Sequence, residues 1–291
     1  MDDNDWLAGR FEASRPRLRA MAYRMLGSLT DAEDALQEGW IHAAGADAGA
    51  VDNLDGWFTT IVSRVCLDML RSRKSRREEP FEADAVTAAG PEADGPEQEA
   101  MLADSVGFAL LVVLDRLAPA ERVAFVLHDM FGLPFGEIAA ITGRSPAAAR
   151  QLASRARRRV QGNPSVPGAQ LARQREVAAA FLAATRDGNL EALLEVLDPE
   201  VVLHADAVAS PSGSPITIRG AAAVSRGARA ASAEARHSGL SLVNGTPGIV
   251  MAPSGRLEVV LAFTVSDGKV SRIEIIADPA SLRDLDIAVL T

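Results

Sequence analysis

Pro134-Phe135-Gly136-Glu137-Ile138-Ala139-Ala140-Ile141, then Thr142-Gly143-Arg144, then Ser145-Pro146-Ala147-Ala148-Ala149-Arg150-Gln151-Leu152-Ala153-Ser154-Arg155-Ala156-Arg157-Arg158 run on without a break near the middle of the chain. The first segment reads as a short helix that buries Phe135, Ile138, Ala139 and Ile141. Gly143 stands where the chain must reverse. Ser145 is placed to cap the next helix, with Pro146 at its first position, the one that proline tolerates best. That helix has an inner face of Ala149, Leu152, Ala153, Ala156 and Val160 and an outer face of Arg150, Gln151, Ser154, Arg155, Arg157 and Arg158. The pattern is a helix-turn-helix with a basic recognition helix. Ala147 and Ala148 let its first turn come close to base edges. Arg and Gln can read bases bidentately, and further arginines can hold phosphates. A helical hairpin with a solvated basic face would carry the same pattern.

Working back toward the N-terminus, Arg71-Ser72-Arg73-Lys74-Ser75-Arg76-Arg77 holds five basic residues in seven. They end a helix that starts near Asp55 and is striped by Phe58, Ile61, Val62, Val65, Cys66, Met69 and Leu70. One or two cations would complement the helix dipole, so five favour a polyanion. Arg17–Leu26 carries Leu18, Met21, Ala22, Met25 and Leu26 at helical spacing. Thr30-Asp31-Ala32-Glu33 fits a capping box with Thr30 as the cap. The helix it opens shows Asp31, Glu33, Asp34, Gln37 and Glu38 on one side, a pattern that most often means a solvated face.

The net charge is −9, which by itself disfavours nucleic acid, but it is unevenly spread. Residues 1–77 hold 11 basic and 12 acidic side chains, 78–100 hold eight acidic and no basic ones, and 101–163 hold eight basic and five acidic. Segment 78–100, with Pro80, Gly90-Pro91 and Gly95-Pro96, reads as a linker. Residues 101–162 are helical again, and 163–172 form a second linker around Asn163–Gly168. From 173 the character changes. Helices at Glu176–Thr185 and Leu190–Leu197 precede strand signals at Val201–Leu203, Leu257–Ser266 and Lys269–Ala277, with hairpin turns at Asn244-Gly245 and Asp267-Gly268. This order predicts an α+β cone, a curved antiparallel sheet around a pocket. His204 and Asp206, two apart on a strand, could face that cavity and move a proton.

Cys66 is the one cysteine and sits in an apolar stripe as core filler, so no internal disulfide is expected. The acidic start and the lack of a long uncharged apolar stretch predict neither signal peptide nor membrane span, and a cytoplasmic protein. The four histidines lack metal-ligand spacing, and no phosphate loop or nucleophile motif is present, so no cofactor, metal or enzymatic activity is expected.

Arg17–Gly27, Asp31–Glu38 and Trp57 through Asp68 and Arg71, in this order and spacing, resemble region two of extracytoplasmic-function sigma factors. Leu117–Phe125 with the helix-turn-helix resembles their region four. Arg186–Leu190 and Asp198–Val202 resemble a SnoaL-like domain of the nuclear-transport-factor-two fold, a fusion known in a subgroup of these factors. The resemblance implies two all-α sigma domains (1–77 and 101–162) followed by an α+β SnoaL-like regulatory domain (173–291). It implies core RNA polymerase as partner through its β′ clamp helices and β flap, with Asp31, Glu33, Asp34, Gln37, Glu38 and Trp40 on the helix that docks on the clamp helices. It implies promoter DNA held by Arg64, Arg71, Arg73, Lys74, Arg76, Arg77 and the recognition-helix residues. The acidic linker would thread the channel that otherwise takes RNA. Arg64 stands where the family commonly has Asn. A small ligand in the C-terminal cone stays open. So do two other readings, a stand-alone helix-turn-helix regulator with a ligand-sensing domain and a SnoaL-type enzyme with a DNA-binding arm.

Overall fold

The computed structural model describes residues 3–49, 51–78, 107–253 and 256–290, with the side chains of Asp3, Asn4, Arg76, Arg77 and Glu78 left out. The acidic linker 78–100 thus lies outside the described residues apart from the backbone of Glu78. The chain divides into two compact units, Met1–Leu102 with Leu114–Arg157, and Ala103–Val113 with Arg158–Thr291.

The first unit is helical. Its opening helices are α1 (Asp3–Leu26), α2 (Leu29–Ala44) and α3 (Leu54–Glu78). Helix α1 begins well before the expected Arg17 and runs through Pro16. Leu7 and Phe11 bury on the same core as Leu18, Met21 and Met25, and Phe11 sits edge-on to Phe58 at 5.1 Å. That packing outweighs the hydrogen bond a proline cannot make. Gly39 of α2 is required by contact: a Cβ there would meet Val62 Cγ2 of α3 at 2.8 Å. The cap of α2 is Ser28, whose Oγ accepts from Asp31 N–H, not the expected Thr30. Glu33 does not close a capping box, because it pairs with Arg15 at 2.8 Å and Arg19 at 3.5 Å.

Helix α4 (Phe108–Asp115) is apolar on every side, and α5 (Pro119–Phe125) passes into a π-helical turn at Val126–Met130. Helices α6 (Phe135–Thr142) and α7 (Pro146–Gln161) complete the helix-turn-helix. Gly143 caps α6 at φ 67°, and Ser145 Oγ accepts from Ala148 N–H at 3.2 Å, as the sequence led us to expect. Arg122 of α5 is 2% exposed, with Asp115 at 3.4 Å. Burial pushes its guanidinium down to about 10 against the pull of Asp115, and Arg73 lowers it further. Cys66 is fully buried and its thiol is pushed up to about 12 by that burial, so it is inert core.

The second unit is α+β. Helix α8 (Gly168–Arg186) starts within the segment 163–172 expected to be linker, and α9 (Leu190–Val196) follows, capped by Asn189 Oδ1. Strands β1 (Leu197–Ala205) and β2 (Ile216–Arg219), helix α10 (Ala221–Ala230), strands β3 (Ser238–Val243), β4 (Thr246–Met251), β5 (Val259–Ser266) and β6 (Lys269–Ile276), helix α11 (Pro279–Asp284) and strand β7 (Ile287–Val289) complete it. The sheet order is β2-β1-β6-β5-β4-β3-β7. It is not wholly antiparallel as expected: β1 lies parallel to β6, because the chain enters the sheet from α9 and only later returns through the β5–β6 hairpin. Both predicted hairpin turns form, with Asn244-Gly245 and Asp267-Gly268 all at positive φ.

The described core of this unit is an apolar cluster formed between the sheet and its helices. Phe181, Leu182, Leu193, Leu203, Val224, Ile249, Phe263 and Ile273 pack into one cluster there. A second cluster joins Val243, Val250, Val260, Leu282 and Ile287 to Val112 and Val113 of α4. The boundaries between the two compact units fall inside α4 and near the end of α7.

Candidate nucleic-acid and polymerase interfaces

The outer face of α7 gathers the side chains singled out in the sequence. Arg150, Gln151, Ser154, Arg155 and Arg158 are exposed, while Ala149, Ala153 and Ala156 are buried. Arg155 Nε donates to the buried Glu121 at 2.7 Å, and Arg157 donates through Nε and Nη2 to Asp129 Oδ1 at 2.8 and 2.5 Å. Arg150 lies over the Phe135 ring, its guanidinium carbon 5.4 Å from the centroid. The helix ends with Arg158 and Arg159 and carries no acidic residue in its first turn. From Arg150 to Arg159 its face carries basic and polar side chains and no acidic one.

In α3, Arg64, Arg71 and Lys74 are exposed and Arg73 is half-buried. Arg64 donates to Ala140 O at 3.2 Å, Arg71 pairs with Asp68 at 3.2 Å, and Arg73 donates to Leu26 O at 3.3 Å and pairs with Asp31. The side chains of Arg76 and Arg77 fall outside the described ones.

The proposed polymerase residues divide into two groups. Asp31 and Glu33 are tied to Arg73 and to Arg15 and Arg19. Trp40 is half-buried and packs against Phe11, ring centroids 5.3 Å apart. Asp34, Gln37 and Glu38 are exposed. Ile41, 63% exposed, continues their stripe at helical spacing. Sequence reasoning passed over Ile41, although the i, i+3, i+4, i+7 series 34, 37, 38, 41 was available to reveal it.

His204 and Asp206 do not meet in a cavity. Leu203 and Ala205 take the core side of β1, so His204 faces away and bonds to Thr217 Oγ1 at 2.8 Å. Asp206 accepts N–H bonds from Ala209 at 2.8 Å, Ala277 at 2.7 Å and Asp278 at 2.8 Å. Burial alone would raise its pKa, but these bonds outweigh it and hold the carboxyl below its usual range. It ties the end of β1 to the end of β6. Elsewhere on this unit an open groove of about 500 Å³ lies between Leu194, Leu197, Pro199 and the start of α10, flanked by Arg219 and Arg226. Among the described residues no cluster of His, Cys, Asp and Glu could hold a metal, and no helix is long and apolar enough to cross a membrane.

The chain matches the family models for sigma-70 region 2 over residues 10–76 and sigma-70 region 4 over residues 108–160. It is 35% identical to the probable ECF RNA polymerase sigma factor SigI of Mycobacterium tuberculosis, covering 98% of both chains. It is 38% identical to the ECF RNA polymerase sigma factor SigJ of the same species, covering 92% of this chain and 91% of that one. The crystal structure of SigJ aligns over 94% of this chain and 98% of that one at 34% identity, with a TM-score of 0.46. Helical sigma regions are here followed by an α+β domain built on a seven-stranded sheet. With both sigma regions in order and relatives matched along nearly their whole length, the chain belongs to the ECF sigma factors, which join core RNA polymerase and direct it to promoters.

Proposed function

We propose that promoter selection by this sigma factor is shared between α7, which reads the upstream element in the major groove, and α3, which engages the downstream element. Arg150, Gln151 and Ser154 face base edges, while Arg155, Arg157 and Arg158 hold phosphates. Arg64, Arg71, Arg73, Lys74, Arg76 and Arg77 serve the downstream element. The exposed stripe Asp34, Gln37, Glu38 and Ile41 docks on the β′ clamp helices, region four meets the β flap, and the acidic linker lies in the RNA path. The protein works in the cytoplasm and is not an enzyme. Its C-terminal domain regulates initiation. With His204 and Asp206 apart and the cone packed with apolar side chains, we assign that domain a protein-interaction role.

The observation that carries this reading is the separation of exposed faces: an acidic stripe on α2 with an apolar end, and a cationic stripe on α7. Charge reversal at Asp34 places a like charge against the partner of that stripe. Asp34→Arg should weaken assembly with core polymerase by at least about tenfold, equivalent to ~1.4 kcal/mol. Arg150→Ala should leave assembly intact and lower run-off transcription only from promoters with the preferred upstream element. Unchanged assembly of Asp34→Arg would overturn the docking assignment.

A further inference from the structure

The arginines of the recognition helix are held in two chemically different ways. Arg155 and Arg157 are clamped by carboxylates, Glu121 and Asp129, so some of their donors are already engaged. A phosphate contact tolerates that arrangement, since it needs charge and approximate placement. Arg150 makes no hydrogen bond or ion pair among the described residues, and its guanidinium rests over the Phe135 ring at 5.4 Å. The same ring stacks with the His128 imidazole, centroids 4.0 Å apart and planes 30° apart. His128 is fixed in turn by its Nδ1, 3.0 Å from Leu133 O. His128 lies in the π-helical turn that also presents Asp129. Such wide turns recur at functional positions because they redirect side chains.

A ring face attracts a guanidinium through its quadrupole and leaves the in-plane N–H donors free. That is the state a base-reading arginine requires. It is oriented before binding, so less rotamer freedom is lost on contact, and its fork stays available. We propose that Phe135, seated on His128, is a positioning residue for base selection. It holds Arg150 for bidentate pairing with a base edge that offers two acceptors, as guanine does with O6 and N7. This rests on the reading of α7 as the recognition helix.

The test uses the full chain assembled with core RNA polymerase. Promoters carrying each base at every position of the upstream element compete in transcription. Arg150→Ala should flatten the preference at one position. Phe135→Leu, which keeps an apolar side chain but removes the ring, should narrow the preference at that same position by about two- to fivefold. Phe135→Tyr, which keeps the ring, should restore it. In the Arg150→Ala background, Phe135→Leu should change nothing further, and polymerase assembly should be equal throughout. Full preference retained by Phe135→Leu, or an equal loss at every position, would overturn the positioning role while leaving the recognition helix in place. No change of base preference in Arg150→Ala would overturn the base-reading role of Arg150, and the present proposal with it.

Discussion

Replacing Asp206 with alanine tests whether this carboxylate is a tether or a reagent. Its oxygens accept three backbone N–H bonds of 2.7–2.8 Å, one from the turn after β1 and two from the chain leaving β6. A hydrogen bond to a charged acceptor contributes about 1.5–3 kcal/mol. Asp206 is only half-buried, so water recovers part of each loss. The low end applies, and Asp206→Ala should destabilise the C-terminal unit by about 2–4 kcal/mol. For a unit of this size that lowers its melting midpoint by roughly 10 °C. Differential scanning calorimetry of the full chain measures that shift. Asp206→Asn should lie between wild type and Asp206→Ala, because its amide oxygen can keep part of the network. The folded-state pKa lies below the unfolded value near 3.8. The stabilisation is therefore fully present above the unfolded value and lost as pH falls through the folded one, so wild type and variant should converge under strong acid. A melting midpoint unchanged in Asp206→Ala at neutral pH would refute the tether.

Four further outcomes follow from packing. Gly162 has φ 59°, and a Cβ there would sit 2.3 Å from Ala288 Cβ, so Gly162→Ala should destabilise the C-terminal unit by about 2–4 kcal/mol. Gly268→Ala, at φ 77° with nothing within 4 Å, should cost only the backbone term of about 1 kcal/mol by the same calorimetry. Val113→Asp buries a charge in the cluster of Val243, Val250 and Ile287 and should lower the C-terminal transition by ~3 kcal/mol or more; a drop confined to the first unit would reject the assignment of α4. Deleting residues 173–291 would uncover Val112 and Val113 as well, so the truncated chain should bind a hydrophobic dye that full-length protein does not.

Local chemistry made much of this protein legible from residues alone. Helix periods set the faces of α2, α3 and α7. Gly143, Ser145 and Pro146 punctuate the helix-turn-helix because backbone conformation and capping act within a few residues. The same holds for Asn244-Gly245 and Asp267-Gly268. The cationic stripe of α7 and the acidic stripe of α2 were readable for the same reason: side-chain direction on a helix follows from spacing.

What needed the tertiary structure are the choices among partners distant in sequence. Glu33 could cap its helix or pair with Arg15, and packing brought Arg15 within reach. Trp40 packs beside the Phe11 ring of α1, a pairing between helices that no local pattern names. The parallel pairing of β1 with β6 depends on which strand arrives alongside, which no local pattern encodes. The burial of Val112 and Val113 in the C-terminal core is of this kind, as is the stack of His128, Phe135 and Arg150. An apolar residue states only that it will be buried, and an arginine only that it needs a partner. Which neighbour answers is settled when the whole chain packs at once.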